Sequence, residues 1–488
     1  MEHSKFSLFS FTGKMKVLHL SWMAFFITFV VWFNFAPMLE MVKSTLGLSN
    51  QEIKTLLILN VALTIPARVF IGMLTDRFGP RLVYSVLLAV CSIPCFMFAF
   101  ADTFLQAAIA RFLLGFIGAG FVIGIRLVSE WFPHNQLGTA EGIYGGWGNF
   151  GSAAAAFSLP TLALLFGGEN GWRYATALTG VMSLLFSVVF YLNVTDTPKG
   201  STYFRPKHLS AMEVTSKGDF FFLLIMKIPM YAVLALLAWK LSPSGINMIG
   251  QDVVYAIDAV LIATYLLEVK QVWQVNKNIF TTPVEPIHQY KFKQVAVLNG
   301  LYFATFGSEL AVVSMLPLFF SDTFTLTPVM AGMVASSYAF MNLMSRPGGG
   351  ILSDKFGRKT TLIVLTAGLA LGYFLMAQVN SSWPIGLAVA AVMACSFFVQ
   401  AGEGAVFATV PLIKRRMTGQ IAGMTGAYGN VGSVVYLTIL SFVSYQTFFY
   451  VIAATAVIGF LTLFFMEEPQ GEIAEINADG TVTMINVS

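Results

Sequence analysis

The chain predicts an all-α membrane protein made of two six-helix halves, with two additional weakly hydrophobic segments between them. Three observations carry this. Of 488 residues, 57% are hydrophobic and only 11% are charged, with a mean hydropathy of +0.75. Soluble chains carry about 25% charged residues, so most of this surface must face lipid. Apolar runs of about 20 residues, long enough to span a bilayer as helices, recur along the whole length. The sequence also repeats itself: "GMLTDRFGPR" (72–81) matches "GILSDKFGRK" (350–359), and "GTAEGIYGGWGNFGS" (138–152) matches "GQIAGMTGAYGNVGS" (419–433). The matches start 278 and 281 residues apart, so only small insertions separate the two halves.

Six spans are expected in residues 1–194, near 17–37, 54–74, 82–101, 105–127, 140–166 and 174–194. The first run begins after Lys16 and is long enough to cross, so no cleavable signal peptide is expected. An inter-half segment, 195–290, holds the two weaker candidates, 219–241 and 253–270. Lys227 interrupts one of them, and Asp258 and Glu268 dilute the other. Two spans are favoured over a hairpin on the membrane surface. The second half, 291–466, repeats six spans near 295–320, 328–352, 360–378, 384–408, 420–445 and 446–466. An acidic tail, 467–488, carries five acids and no base.

Lysine and arginine placement sets orientation. Nineteen of the 28 fall in segments on one side, among them Lys5, Arg205, Lys207, Arg415 and Arg416; only Lys43, Lys54, Arg173 and Lys240 fall on the other. A multi-pass protein of the cytoplasmic membrane with both termini inside is expected. Cys91, Cys95 and Cys395 lie in apolar runs with no third ligand nearby and read as packing residues. No metal or other cofactor is expected.

Arg68 and Arg346 pose the sharpest question. No charge lies between Lys54 and Arg68, and each arginine precedes an aspartate (Asp76, Asp354) by eight residues. At 1.5 Å per residue that is about 12 Å inside the boundary, near the middle of a ~30 Å hydrocarbon core. An arginine there costs roughly 2.5–3.5 kcal/mol on the most lenient scale. Snorkelling or an ion pair would explain one. Two at equivalent positions of two halves converge on one cavity and make a positive site for a small anion. Guanidinium is planar, permanently charged and donates in bidentate fashion, which lysine does not.

The loop pattern around Asp76, Arg77, Asp354 and Lys355 reads as a structural or gating clasp, with Gly79 and Gly357 turning the chain. In "GGWGNFGS" and "GAYGNVGS", glycines three apart make a face that another helix or a ligand can approach closely. Asn149 and Asn430 add an uncharged amide donor. Glycines alone would signal packing; with both asparagines and both arginines the runs read as a cavity lining.

These motifs, over nearly the whole length, resemble the nitrate/nitrite porter family of the major facilitator superfamily, and are similar to its cyanobacterial permeases, which also have a long segment between the halves. The resemblance implies the major facilitator fold, with substrate bound near the midplane between the halves. It implies that Arg68 and Arg346 clamp the anion, and that Asn149 and the Gly145, Gly146 and Gly148 backbone lie alongside. Asn430, Gly426 and Gly429 are the counterparts in the second half, and Phe121, Tyr302 and Phe306 match the family's aromatic lid. It further implies uptake of nitrate, and with it nitrite, by alternating access. Membrane lipid and protons are the other partners expected, and no nucleic acid.

The chain departs from some relatives at Glu309 and Glu403. A carboxylate buried in a span can titrate and couple the anion to protons; it can also simply pair with one of the arginines, Arg111 included. Proton symport is favoured, with nitrate/nitrite exchange or a facilitator for another small anion as alternatives. A membrane sensor would need an output domain that a 22-residue tail does not supply. An enzyme is not expected, because no span holds a metal-spaced His/Cys cluster or a nucleophile–base pair.

Overall fold

The computed structural model describes residues 7–132, 134–200, 203, 211–285, 289–414, 417–469, 472–476 and 482–486. Lys5, Arg205, Lys207, Arg415 and Arg416, counted above toward one face, lie outside the described residues.

Helices follow the apolar runs. In the first half they are α1 (Gly13–Trp32), α2 (Leu39–Leu46), α3 (Asn50–Ala62), α4 (Thr64–Phe78), α5 (Pro80–Ala99), α6 (Phe104–Leu114), α7 (Gly120–Trp131), α8 (His134–Phe166) and α9 (Gly171–Asn193). The inter-half segment forms α10 (Lys217–Leu241) and α11 (Gln251–Asn276). The second half holds α12 (Phe292–Ala304), α13 (Phe306–Phe324), α14 (Pro328–Phe340), α15 (Asn342–Phe356), α16 (Arg358–Met376), α17 (Ile385–Thr409), α18 (Thr418–Leu440) and α19 (Tyr445–Thr462). Eleven of these helical units are long and apolar enough to cross a membrane among the described residues. α14–α15 and α18, both expected as strong spans, fall short because glycine and polar residues replace aliphatics where they face the interior.

α10, read from sequence as weak, is among the eleven. The lysine that interrupts it is neutralised inside the hairpin: Lys227 is 7% exposed and forms an ion pair with Glu268 of α11, whose other oxygen accepts from Tyr231 Oη at 2.8 Å. α11 is not among the eleven, because Asp252, Asp258, Glu268 and Lys270 interrupt it, but it exposes apolar Tyr255, Val260, Ile262 and Leu266. The same outward stripe runs along α5 at Val86, Val90 and Ile93, spaced by helical turns.

Matching helices break at one level. α3 gives way to α4 at Leu63 and α14 to α15 at Met341, with nearly the same backbone angles (φ −67°, ψ −19° and φ −60°, ψ −21°). Pro66 and Pro347 lie just beyond, and each removes a helical hydrogen bond. The carbonyl that Pro347 leaves open, Leu343 O, accepts from Trp147 Nε1 of α8 at 3.3 Å. α6 ends in a 3-10 turn at Gly115–Ala119, and Gly115 O accepts from Thr64 Oγ1.

Packing crosses between the halves in matched pairs: α4 lies against α18, and α15 against α8. Each half thus presents its second span to the fifth span of the other. Beyond α19 the tail forms a small antiparallel hairpin, β1 (Glu472–Ile476) with β2 (Val482–Asn486), Glu472 opposite Asn486. Its β-branched alternation is a strand signal that the acidic composition had masked.

Candidate functional site

Arg68 and Arg346 each sit five residues past their helix break, so the two crossed helix pairs bring both guanidiniums to the centre. Both are shut off from solvent, at 0% and 1% exposure. Both lie over the same two rings. The Arg68 guanidinium is 5.4 Å from the Phe121 ring and 4.8 Å from Phe306; for Arg346 the distances are 5.1 and 5.8 Å. These are cation–π distances. The two rings are nearly parallel, 6.4 Å apart, and Tyr302 stacks on Phe306 at 4.9 Å.

The arginines differ in what they hold. Arg68 donates from Nε to Gly118 O at 3.2 Å and from Nη1 to Gly426 O at 2.7 Å, and its Nη2 has no partner. Arg346 is committed: Nη1 pairs with Glu403, and Nη2 donates to Tyr302 Oη at 3.0 Å.

The glycine runs explain how the arginines fit. A methyl group on Gly145 would lie 2.6 Å from Arg346 Nε, and one on Gly426 would lie 3.0 Å from Arg68 Nη1. Gly146 meets the backbone at Asn342, Gly148 meets the Phe25 ring, and Gly429 meets Tyr302 and Phe306. The glycine faces therefore admit the arginine of the opposite half and aromatic rings of their own half.

The asparagines are not equivalent. Asn430 turns its amide back to Gly426 O of its own helix, at 3.0 Å. Asn149 crosses to the other half and donates to Glu309 Oε2 at 3.1 Å. Glu309 also accepts from Asn342 at 2.5 Å and lies 3.5 Å from Gln400 Nε2. Of the two buried acids, Glu403 therefore takes the arginine partner and Glu309 is held by neutral amides. Arg111 serves neither. Its guanidinium donates to Asn34 Oδ1 (2.7 Å), Trp32 O (2.6 Å) and Asn60 Oδ1 (2.6 Å), tying the ends of α1 and α3 to α6.

The loop motif lies apart, at the helix ends. Asp76 pairs with Arg126 at 3.3 Å and Asp354 with Arg358 at 2.6 Å, while Arg77 and Lys355 are exposed and lie over Phe78 and Phe356. A cavity of about 290 Å³ lies elsewhere, between α10–α11 and the α4/α18 seam, beside Gly72, Lys227, Glu268 and Gly423.

Sequence reading missed Asn342, Gln400, Tyr144 and Phe407. Asn342 lies one turn before Arg346 and Gln400 three residues before Glu403, so helical spacing from each charge was the available signal. Tyr144 stacks on Phe25 at 5.0 Å and Phe407 meets Phe121 edge-on at 4.7 Å; among 46 phenylalanines and 16 tyrosines nothing marked them.

Two pseudo-equivalent halves, each packing its second span against the fifth span of the other, have the plan of a secondary transporter. The sequence model of the Major Facilitator Superfamily matches residues 21–267 and 298–483. The chain is 48% identical over 519 residues to the nitrate/nitrite transporter NrtP of Picosynechococcus sp., covering 97% of each chain. It is 46% identical to that of Nostoc punctiforme, covering 98% of each. Among solved structures it is similar in fold to the xylose transporter XylE from E. coli, with a TM-score of 0.61, 15% identity, and 94% and 99% of the two chains covered. The chain belongs to the major facilitator superfamily and, within it, to the nitrate/nitrite porter family.

Proposed function

We propose that this protein takes up nitrate, and nitrite, across the cytoplasmic membrane by alternating access together with one proton per anion, with both termini in the cytoplasm. Arg68 and Arg346 clamp the anion, Asn149 and the Gly145–Gly148 backbone lie beside it, and Phe121, Tyr302 and Phe306 shut the site from water. Alternating access is then a rocking of residues 1–194 against 291–466 about this site.

The observation that carries the proton is the charge inventory of the buried centre. Two arginines share it with two acids, Glu309 and Glu403, all at 1% exposure or less. With both acids ionised the centre is neutral, and an anion alone would leave it with an uncompensated negative charge in a low-dielectric interior. One proton restores neutrality. Glu403 keeps its arginine, so we assign the proton to Glu309, which forms no ion pair of its own. The identity of the anion is supported by the similarity to the two cyanobacterial transporters and by the geometry that suits planar oxyanions.

Reconstitution in liposomes tests this. An inward-directed proton gradient is expected to drive nitrate accumulation, and Glu309→Gln is expected to abolish the dependence on that gradient. Uptake that ignores the gradient and requires internal nitrite would establish exchange instead.

A further inference from the structure

Glu309 sits on α13 one turn beyond the break at Thr305. Three side-chain amides surround its carboxylate: Asn149 from α8, Asn342 from α15 and Gln400 from α17. The titratable groups that face it are Arg346 from α15, Glu403 from α17 and Tyr338 from α14. Arg346 is engaged by Glu403 and Tyr302, and Tyr338 Oη by Tyr373 at 2.8 Å. The three amides and the neighbouring Glu403 carboxyl are therefore what its oxygens meet.

Those amides share a second property. Asn149 Oδ1, Asn342 Oδ1 and Gln400 Oε1 are all buried with no hydrogen-bond partner. A buried acceptor left bare costs about 1–3 kcal/mol. An ionised acid accepts only, so the NH2 groups of Asn149 and Asn342 point toward it, while Gln400 Nε2 divides between the acid at 3.5 Å and Tyr338 O at 2.9 Å. A proton on Glu309 reverses that demand. The new O–H needs an acceptor, and amide oxygens are waiting. A half-turn of the Asn149 amide places Oδ1 on the acid and swings Nδ2 away from it.

We propose that Asn149, with Asn342 and Gln400 as positioning residues, is a proton-operated donor switch. Protonation of Glu309 transfers the Asn149 NH2 from the acid to the bound oxyanion, and ionisation takes it back. The proposal rests on the reading of Arg68, Arg346 and Asn149 as the anion site. It adds how one proton on one residue is sensed by the anion without a charge moving through the site. Linkage requires reciprocity: the proton strengthens anion binding, and the anion strengthens proton binding by the same factor.

Equilibrium nitrate binding to the purified full chain, measured from acid to alkaline pH, is the test. Wild type should bind more tightly as pH falls, by up to about tenfold per pH unit, the limit for one linked proton. Glu309→Gln should bind at every pH with the affinity wild type reaches in acid. Asn149→Ala should bind weakly, losing one charge-assisted bond, with a slope clearly shallower than wild type because only the charge neutralisation at Glu309 remains. Asn342→Ala and Gln400→Ala should keep the acid-side affinity but move the midpoint of the slope to higher pH, because each removes a donor that favours the ionised acid. A merely structural role would not move that midpoint. A full slope in Asn149→Ala overturns the switch while leaving Glu309 as the proton site. A slope that survives Glu309→Gln and vanishes in Glu403→Gln overturns both the switch and the assignment of the proton. Folded wild type that binds no nitrate at any pH overturns the substrate reading itself.

Discussion

Arg68 and Arg346 occupy matching places but hold different partners, and this sets what each can do. Arg68 bonds two backbone carbonyls and keeps one nitrogen without a protein partner, while Arg346 spends its fork on a carboxylate and a phenol. Lysine at either place retains charge but loses the planar fork. Arg68→Lys and Arg346→Lys are each expected to lower nitrate transport by at least about tenfold while the protein still inserts, the loss of a charge-assisted bond being worth roughly 1.5–3 kcal/mol. Initial uptake rates in vesicles, normalised to inserted protein, check this, and near wild-type rates in either variant would refute the clamp. Gly145→Ala asks whether the smooth face is needed at all. Its methyl would crowd Arg346 Nε at 2.6 Å, and a loss of transport similar to Arg346→Lys is expected. The arginines were legible because a buried charge in an apolar run is expensive and so conspicuous. Asn342 and Gln400 were not, since a neutral amide in a span carries no such mark until the acid it serves is placed beside it.

At the scale of elements, the glycine runs and the helix breaks form one device. Proline loosens α4 and α15 just where the arginines begin, and the facing glycines of α18 and α8 make room for them. The runs could be read from spacing; the cross-pairing of second and fifth spans could not, because it depends on how two halves dock. The inter-half hairpin taught the opposite lesson. Its lysine made α10 look weak, yet the acid that cancels it lies 41 residues on, in α11. Breaking that pair strands a buried charge, a cost of about 3–5 kcal/mol, while replacing both members is often neutral. Lys227→Met or Glu268→Met should therefore lower the thermal midpoint clearly, and the double variant should recover most of it. Labelling tests where the hairpin runs. The native cysteines are all buried, so Ser244→Cys, in the turn between α10 and α11, provides a distinct target. A membrane-impermeant thiol reagent applied outside is expected to label it, and labelling only from the inside would place the hairpin on the cytoplasmic surface.

For the whole molecule, the charge inventory has an electrical consequence. One anion carried with one proton moves no net charge, so the initial rate should follow the pH difference and be insensitive to an imposed membrane potential. Vesicles clamped with a potassium diffusion potential measure this directly; a rate that rises with interior-negative potential would mean that more than one proton crosses per anion. The two-halved plan itself was legible from the repeated motifs, since each half carries its own copy of the arginine, the loop and the glycine run. Which acid would meet which arginine was not, because Arg346 and Glu403 lie 57 residues apart on different helices and only packing brings them together.

The hairpin of α10 and α11 begins and ends at one place. Thr215 Oγ1 donates to Tyr290 O at 2.7 Å, Tyr290 Oη donates to Glu213 O at 2.6 Å, and Asn276 bonds both Val214 N and Met212 O. The chain thus leaves the first half and returns to the second through a single stapled doorway. An excursion of this kind has even parity: it adds a going and a coming and hands α12 on from the side on which α9 ended. A lone extra helix would have turned the second half upside down and carried Arg346 to the wrong side of the pseudo-twofold. The plan can therefore accept or discard such modules only in pairs.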